Sequence, residues 1–283
     1  MDEALLAVTL SVGMHVTWNL IARRQPADAF PLWWVLLTHL ILIGPIGLTA
    51  LIASVTWTPA FLALLTTSAV ANVIYFWGLR RAYEHAPVAL VYPLVRSSPL
   101  LIAFWSVLLT GESLSTNAWL GIGISVIGLW LLSWSALRNA SDRKALPWAF
   151  AAMLATSIYS LSDKAATASV PGFDGLLGFV SVGYFAAWLS ITLAMKQKTG
   201  RWVPAQRINM TAMSVGGLCI GTAYALVIHA MRTLPSAEVV TYTNGGIVIA
   251  SILSLTWFKE RQDWERRLIG ALIVALGLMV TAN

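Results

Sequence analysis

Apolar residues run along this chain in ten long blocks, at roughly 3–22, 31–54, 59–80, 87–109, 116–136, 147–168, 173–195, 207–231, 236–258 and 265–282. Each block is long enough to cross a bilayer as a helix, which takes about 20 mostly apolar residues. The polar stretches between them are short. The longest, "ALRNASDRKALP", lies around 136–147, at the midpoint of the chain. Tryptophans gather at block ends (Trp33, Trp57, Trp119, Trp134, Trp148, Trp202, Trp257 and Trp264), as expected for an aromatic belt at headgroup level. The pattern predicts an all-α polytopic membrane protein with ten transmembrane helices. The acidic start "MDEALLAVTL" lacks the basic leader of a cleaved signal peptide and reads as the beginning of the first helix.

Composition removes the soluble alternative. The 283 residues are 58% hydrophobic and 11% charged, with mean hydropathy +0.75, whereas soluble domains carry roughly 25% charged residues. The formal charge of +6 does not point to nucleic acid, because the basic residues sit between apolar blocks. Fifteen of the 18 Lys and Arg lie in the loops after the first, third, fifth, seventh and ninth blocks; Arg96, Lys164 and Arg232 are the others. The positive-inside rule then puts those five loops in the cytoplasm and both termini outside. The single cysteine, Cys219, excludes an internal disulfide.

The end of each half of the chain echoes the other. Pro87 matches Pro235 and Glu112 matches Glu260; after one inserted residue Gly121 matches Gly270 and Gly128 matches Gly277. This predicts two five-helix repeats, 1–138 and 147–283, joined by 139–146. Five is odd, so the second repeat enters the membrane from the opposite side. Inverted repeats of this kind are common in secondary transporters.

That duplicated pattern, with "MHVTWNLIARR" in the first helix and "YPLVRSSPLL" in the fourth, resembles the drug/metabolite transporter superfamily, in particular its ten-helix EamA-type members. Serine stands where glycine is usual in the last motif. The resemblance covers the whole chain. It implies a cytoplasmic-membrane carrier, usually an exporter, of amino acids, related metabolites or drugs, without fixing the substrate. Relatives with this architecture are usually drawn with both termini in the cytoplasm, opposite to the loop charges here.

The candidate chemistry centres on "PLVRSSP" and "TYTNGGI". The first has Pro93 and Pro99, the second Gly245 and Gly246, so both helices are weakened at matching places. Paired interruptions in the two halves are a strong sequence pointer to a transport site. Arg96 aligns with Asn244 in this register. A charge at membrane depth is a functional candidate by default, and a guanidinium fork suits carboxylate or phosphonate oxygens. The plain alternative is an arginine that only ties the bundle together. His15 and Asn19 lie four apart on one face of the first helix, matched by Tyr159 and Asp163 in the sixth. Asp163 and His15 are candidates for proton coupling, or Asp163 for a counter-ion; Asp163 and Lys164 at the water interface is the bland reading. Tyr92, Tyr242, Asn72 and Tyr224 are polar-tipped or amide groups that could wall a small-molecule site. The small-residue faces Gly121–Gly128 and Gly270–Gly277 suit scaffold or homodimer contact.

There is no P-loop, zinc signature or nucleophile motif in the sequence. The reading is therefore a carrier and not an enzyme, without cofactor or metal. Its expected partners are a small-molecule substrate and membrane lipid. The expected substrate is a polar anion or zwitterion such as an amino acid or organophosphonate, exported by alternating access across a bacterial inner membrane. The alternatives are a cationic drug or metabolite exporter using Asp163, and a carrier of a lipid-linked sugar.

Overall fold

The computed structural model describes residues 3–23, 25–26, 29–86, 88–134, 142–256 and 264–283. Pro87, Trp257, Glu260 and the loop basic residues Arg24, Arg138, Lys259 and Arg261, on which the repeat and the loop charges partly rest, lie outside the described residues. Among the described residues the regular structure is entirely helical. In chain order the helices are α1 (Glu3–Arg23), α2 (Pro31–Leu42), α3 (Gly44–Ser54), α4 (Pro59–His85), α5 (Val88–Val95) and α6 (Ser98–Trp105), which runs on as a π turn to Thr110. Then come α7 (Thr116–Leu132), α8 (Leu146–Ala166, entered through a 3₁₀ turn at Asp142–Ala145), α9 (Phe173–Thr199), α10 (Met210–Ala230), α11 (Ser236–Thr243), α12 (Gly245–Thr256) and α13 (Trp264–Thr281). Among the described residues six spans are long and apolar enough to cross a membrane, seven if α2 and α3 count as one.

The second apolar block was expected as one helix. Instead it bends by 54° between α2 and α3. Pro45 has no N–H to offer the turn before it, so the backbone bonds there are interrupted.

The chain forms two compact units. Unit 1 comprises residues 1–73 and 162–232, and unit 2 comprises residues 74–161 and 233–283. Each unit therefore takes segments from both halves of the sequence, and α4 and α8 pass from one unit to the other.

Large apolar side chains remain outside, Ile46 and Ile52 each 64% exposed and Leu109 69%, an exterior suited to lipid. Lipid tails are as apolar as leucine, so packing of small residues has to hold such helices together. In unit 1, α3 meets α9 where Gly47 and Gly178 touch backbone to backbone. Gly216, Gly217 and Gly221 of α10 receive Val35, Thr38 and His39 of α2. In unit 2, α7 meets α13 through Gly121 against Gly277, and Gly128 against Gly270. The glycine faces noted in the sequence thus serve contacts inside the chain.

Candidate substrate site

Unit 2 contains the interrupted helices. Pro93 lies inside α5 and Pro99 is the second residue of α6. Pro99 cannot donate, so the helix breaks at Arg96–Ser97. The Arg96 N–H still reaches Tyr92 O (3.0 Å), but Ser97 N–H bonds Leu94 O (3.1 Å) and Leu100 N–H bonds Ser97 O (3.3 Å). This tightening to a three-residue spacing releases the Arg96 carbonyl from its usual helical partner. The Asn244 side chain fills the gap, donating through Nδ2 to Arg96 O at 3.3 Å. Asn244 is itself the break between α11 and α12, with N–H to Thr241 O and O from Ile247 N–H, both 2.9 Å. Gly245 and Gly246 begin the helix that follows. A Cβ on Gly245 would meet only Leu278, at an ordinary 3.6 Å, so close packing does not demand glycine there.

The half-buried Arg96 guanidinium is held by hydroxyls. Nε and Nη2 donate to Tyr92 Oη (2.9 and 2.6 Å) and Nη1 donates to Thr243 Oγ1 (3.0 Å). Tyr75, Tyr83 and Tyr159 stand near enough to feel its charge, and Tyr75 meets Tyr159 edge to face at 5.8 Å. A guanidinium has five N–H donors; three are engaged here, all with neutral oxygens. Among the described residues no carboxylate pairs with Arg96. Its hydrogen bonds are partly satisfied and its charge is not neutralised. Asn244 is fully buried, and its Oδ1 meets no donor.

Unit 1 holds a second polar cluster. Asp163, only 1% exposed, accepts the Tyr224 hydroxyl at Oδ2, and the Ser68 hydroxyl lies beside the same carboxyl. Its Oδ1 meets no donor in hydrogen-bonding geometry. Asn72, one turn beyond Ser68 on α4, donates to Ser68 O at 3.0 Å, and Gly183 of α9 leaves room for its amide. Ser162 ties α8 to α4 by donating to Leu64 O at 2.7 Å. Asp163 therefore faces the protein interior, joined to Tyr224 and close to Asn72.

The remaining candidates bond to other protein groups of the chain. Asn19 donates to His15 O (2.7 Å), and His15 Nδ1 accepts Trp18 Nε1–H (3.1 Å), so this pair bonds along its own helix. Tyr242 donates to Thr281 O at 3.2 Å and braces α11 against α13. Sequence reasoning did not single out Thr243, Tyr83, Ser68 or the buried His39, whose ring nitrogens face Gly217 O (3.3 Å) and Ser181 Oγ (3.1 Å). Tyr83 lies eight residues from Tyr75, two helical turns along one face of α4, a spacing that could have found it.

Residues 3–134 match the EamA-like transporter family. No curated protein matches the chain. One solved structure, described only as a crystal structure of a protein, is similar with TM-score 0.72 over 99% of this chain and 95% of that one, at 17% sequence identity. At that identity the likeness concerns the fold alone.

Proposed function

We propose, from the match of residues 3–134 to the EamA-like transporter family, that this chain is a secondary transporter, working as an exporter, of a small polar metabolite that carries an anionic group. An amino acid or an organophosphonate fits. The observation that carries the reading is Arg96: a cation at a helix break, held by the Tyr92 and Thr243 hydroxyls, with no carboxylate partner among the described residues. A charge away from bulk water is stabilised by an opposite charge as well as by hydrogen bonds. A carboxylate or phosphonate supplies both to the two N–H groups that remain. Asn244 and the surrounding tyrosines orient the rest of the substrate.

The two halves work as inverted repeats, each contributing one interrupted helix, and the site opens alternately to the two sides of a bacterial cytoplasmic membrane. The loop charges favour both termini outside. Asp163 is the proton-coupling group, because its unsatisfied Oδ1 can exchange a proton as substrate moves. The same oxygen favours a second reading, in which Asp163 binds a cationic drug or metabolite and Arg96 serves the bundle.

A thermal-stability screen of purified protein against anionic, zwitterionic and cationic metabolites separates the two. A ligand at 100 times its dissociation constant stabilises the native state by about 2.7 kcal/mol. Anions or zwitterions should stabilise the wild type and fail to stabilise Arg96→Gln. Stabilisation by cations alone, retained in Arg96→Gln, would reject the anion reading in favour of the second.

A further inference from the structure

At the end of α4 in unit 2, the Arg81 guanidinium lies 5.9 Å from the ring centres of both Trp77 and Trp148. Glu84 anchors it: Arg81 Nη1 donates to Glu84 Oε2 at 3.0 Å, and Arg80 Nε approaches Glu84 Oε1 at 3.5 Å. The two indoles come together because α4 and α8 approach closely at Gly78, where a Cβ would lie 2.8 Å from Trp148 O. Ala82 and Ala86 pack with Ala145 and Ala149 just beyond. The 3₁₀ turn leading into α8 adds Arg143 and Lys144, both exposed. Among the described residues Arg80, Arg81, Arg143 and Lys144, with Glu84 and Asp142, therefore gather at one end of this helix pair.

The cluster borders an apolar exterior. Trp77 is 43% and Trp148 37% exposed, and Ile74, one turn before Trp77 on α4, is exposed as well. Indoles favour the headgroup level of a bilayer, and basic pockets between transmembrane helices suit anionic headgroups. We infer that Arg80, Arg81, Trp77, Trp148, Arg143 and Lys144 form a docking site for an anionic glycerophospholipid. Its phosphate meets the free edge of the Arg81 guanidinium, and its acyl chains cover the apolar surface around Trp77, Trp148 and Ile74. Charge complementarity selects an anionic headgroup over a zwitterionic one. The exposed apolar flank selects a lipid over free phosphate.

The test is lipid retention by the full-length purified protein, read by native mass spectrometry during titration with phosphatidylglycerol, phosphatidylcholine or inorganic phosphate. Phosphatidylglycerol should be retained more strongly than phosphatidylcholine, and Arg81→Gln should weaken its retention about five- to tenfold, the scale of one basic residue at an anionic membrane surface. Arg81→Lys, which keeps the charge but loses the planar face presented to the indoles, should lose less. Arg201→Gln, which removes the same charge from the loop between α9 and α10 of unit 1, should lose nothing. Unfolding in phosphatidylcholine should be the same for all variants. The proposal is overturned by undiminished phosphatidylglycerol retention in Arg81→Gln, by an equal loss in Arg201→Gln, or by inorganic phosphate displacing the lipid at equal concentration.

Discussion

The Asn244 side chain donates to the Arg96 backbone carbonyl, so each of the two interrupted helices of unit 2 is tied to the other at the residue where it breaks. The Arg96 side chain returns the link through Thr243. The bonds run in both directions between the α5–α6 break and the α11–α12 break.

Asn244→Ala removes the donor and leaves the Arg96 carbonyl unpaired in the interior. The expected cost is about 1–3 kcal/mol of stability, read from thermal unfolding in detergent. Asn244→Asp keeps the shape without the N–H and should lose a comparable amount. Wild-type unfolding in both variants would mean that the carbonyl has another partner.

The glycines of α7 separate into two kinds. Gly128→Leu drives a side chain into the Gly270 carbonyl and Val274, each 2.8 Å from a Cβ at that position. Overpacking of this sort costs about 1–3 kcal/mol. A Cβ on Gly123 would meet nothing within 4 Å, so Gly123→Ala should be neutral or stabilise by up to about 1 kcal/mol through helix propensity. Equal melting temperatures for the two variants would contradict the α7–α13 packing.

Asp163→Asn keeps a similar shape and cannot exchange a proton. In proteoliposomes it should abolish substrate movement driven by a pH gradient while leaving substrate exchange at uniform pH. Tyr224→Phe should weaken transport less, because it removes one hydrogen bond and leaves the carboxyl in place. Gradient-driven transport that survives in Asp163→Asn would assign coupling to another group.

The interruptions at Arg96 and Asn244 were legible because proline and glycine weaken a helix locally, one through its missing N–H and the other through its freer backbone, although Pro93 stays inside α5. The same logic applied to "IGPIG", yet the apolar run around it concealed the bend at Ile43. The groups around Arg96 were harder to read. Tyr75 looks like an ordinary packing residue in sequence and Tyr159 stands out only as the counterpart of His15; only long-range contacts gather them near Arg96. His15 and Asn19 show the converse. Their spacing on one face was read correctly, but a shared face also lets Asn19 bond to the carbonyl one turn back.

The division of the chain into two units constrains how it is made. Domains generally fold as units during synthesis, the N-terminal one first. Unit 1 needs residues 162–232 and unit 2 needs residues 233–283, so neither can close while only the first half has left the ribosome. The early helices must wait in the bilayer, their glycine grooves filled by lipid, until the second half arrives to displace it. A chain truncated at the midpoint would leave two incomplete bundles rather than one finished half.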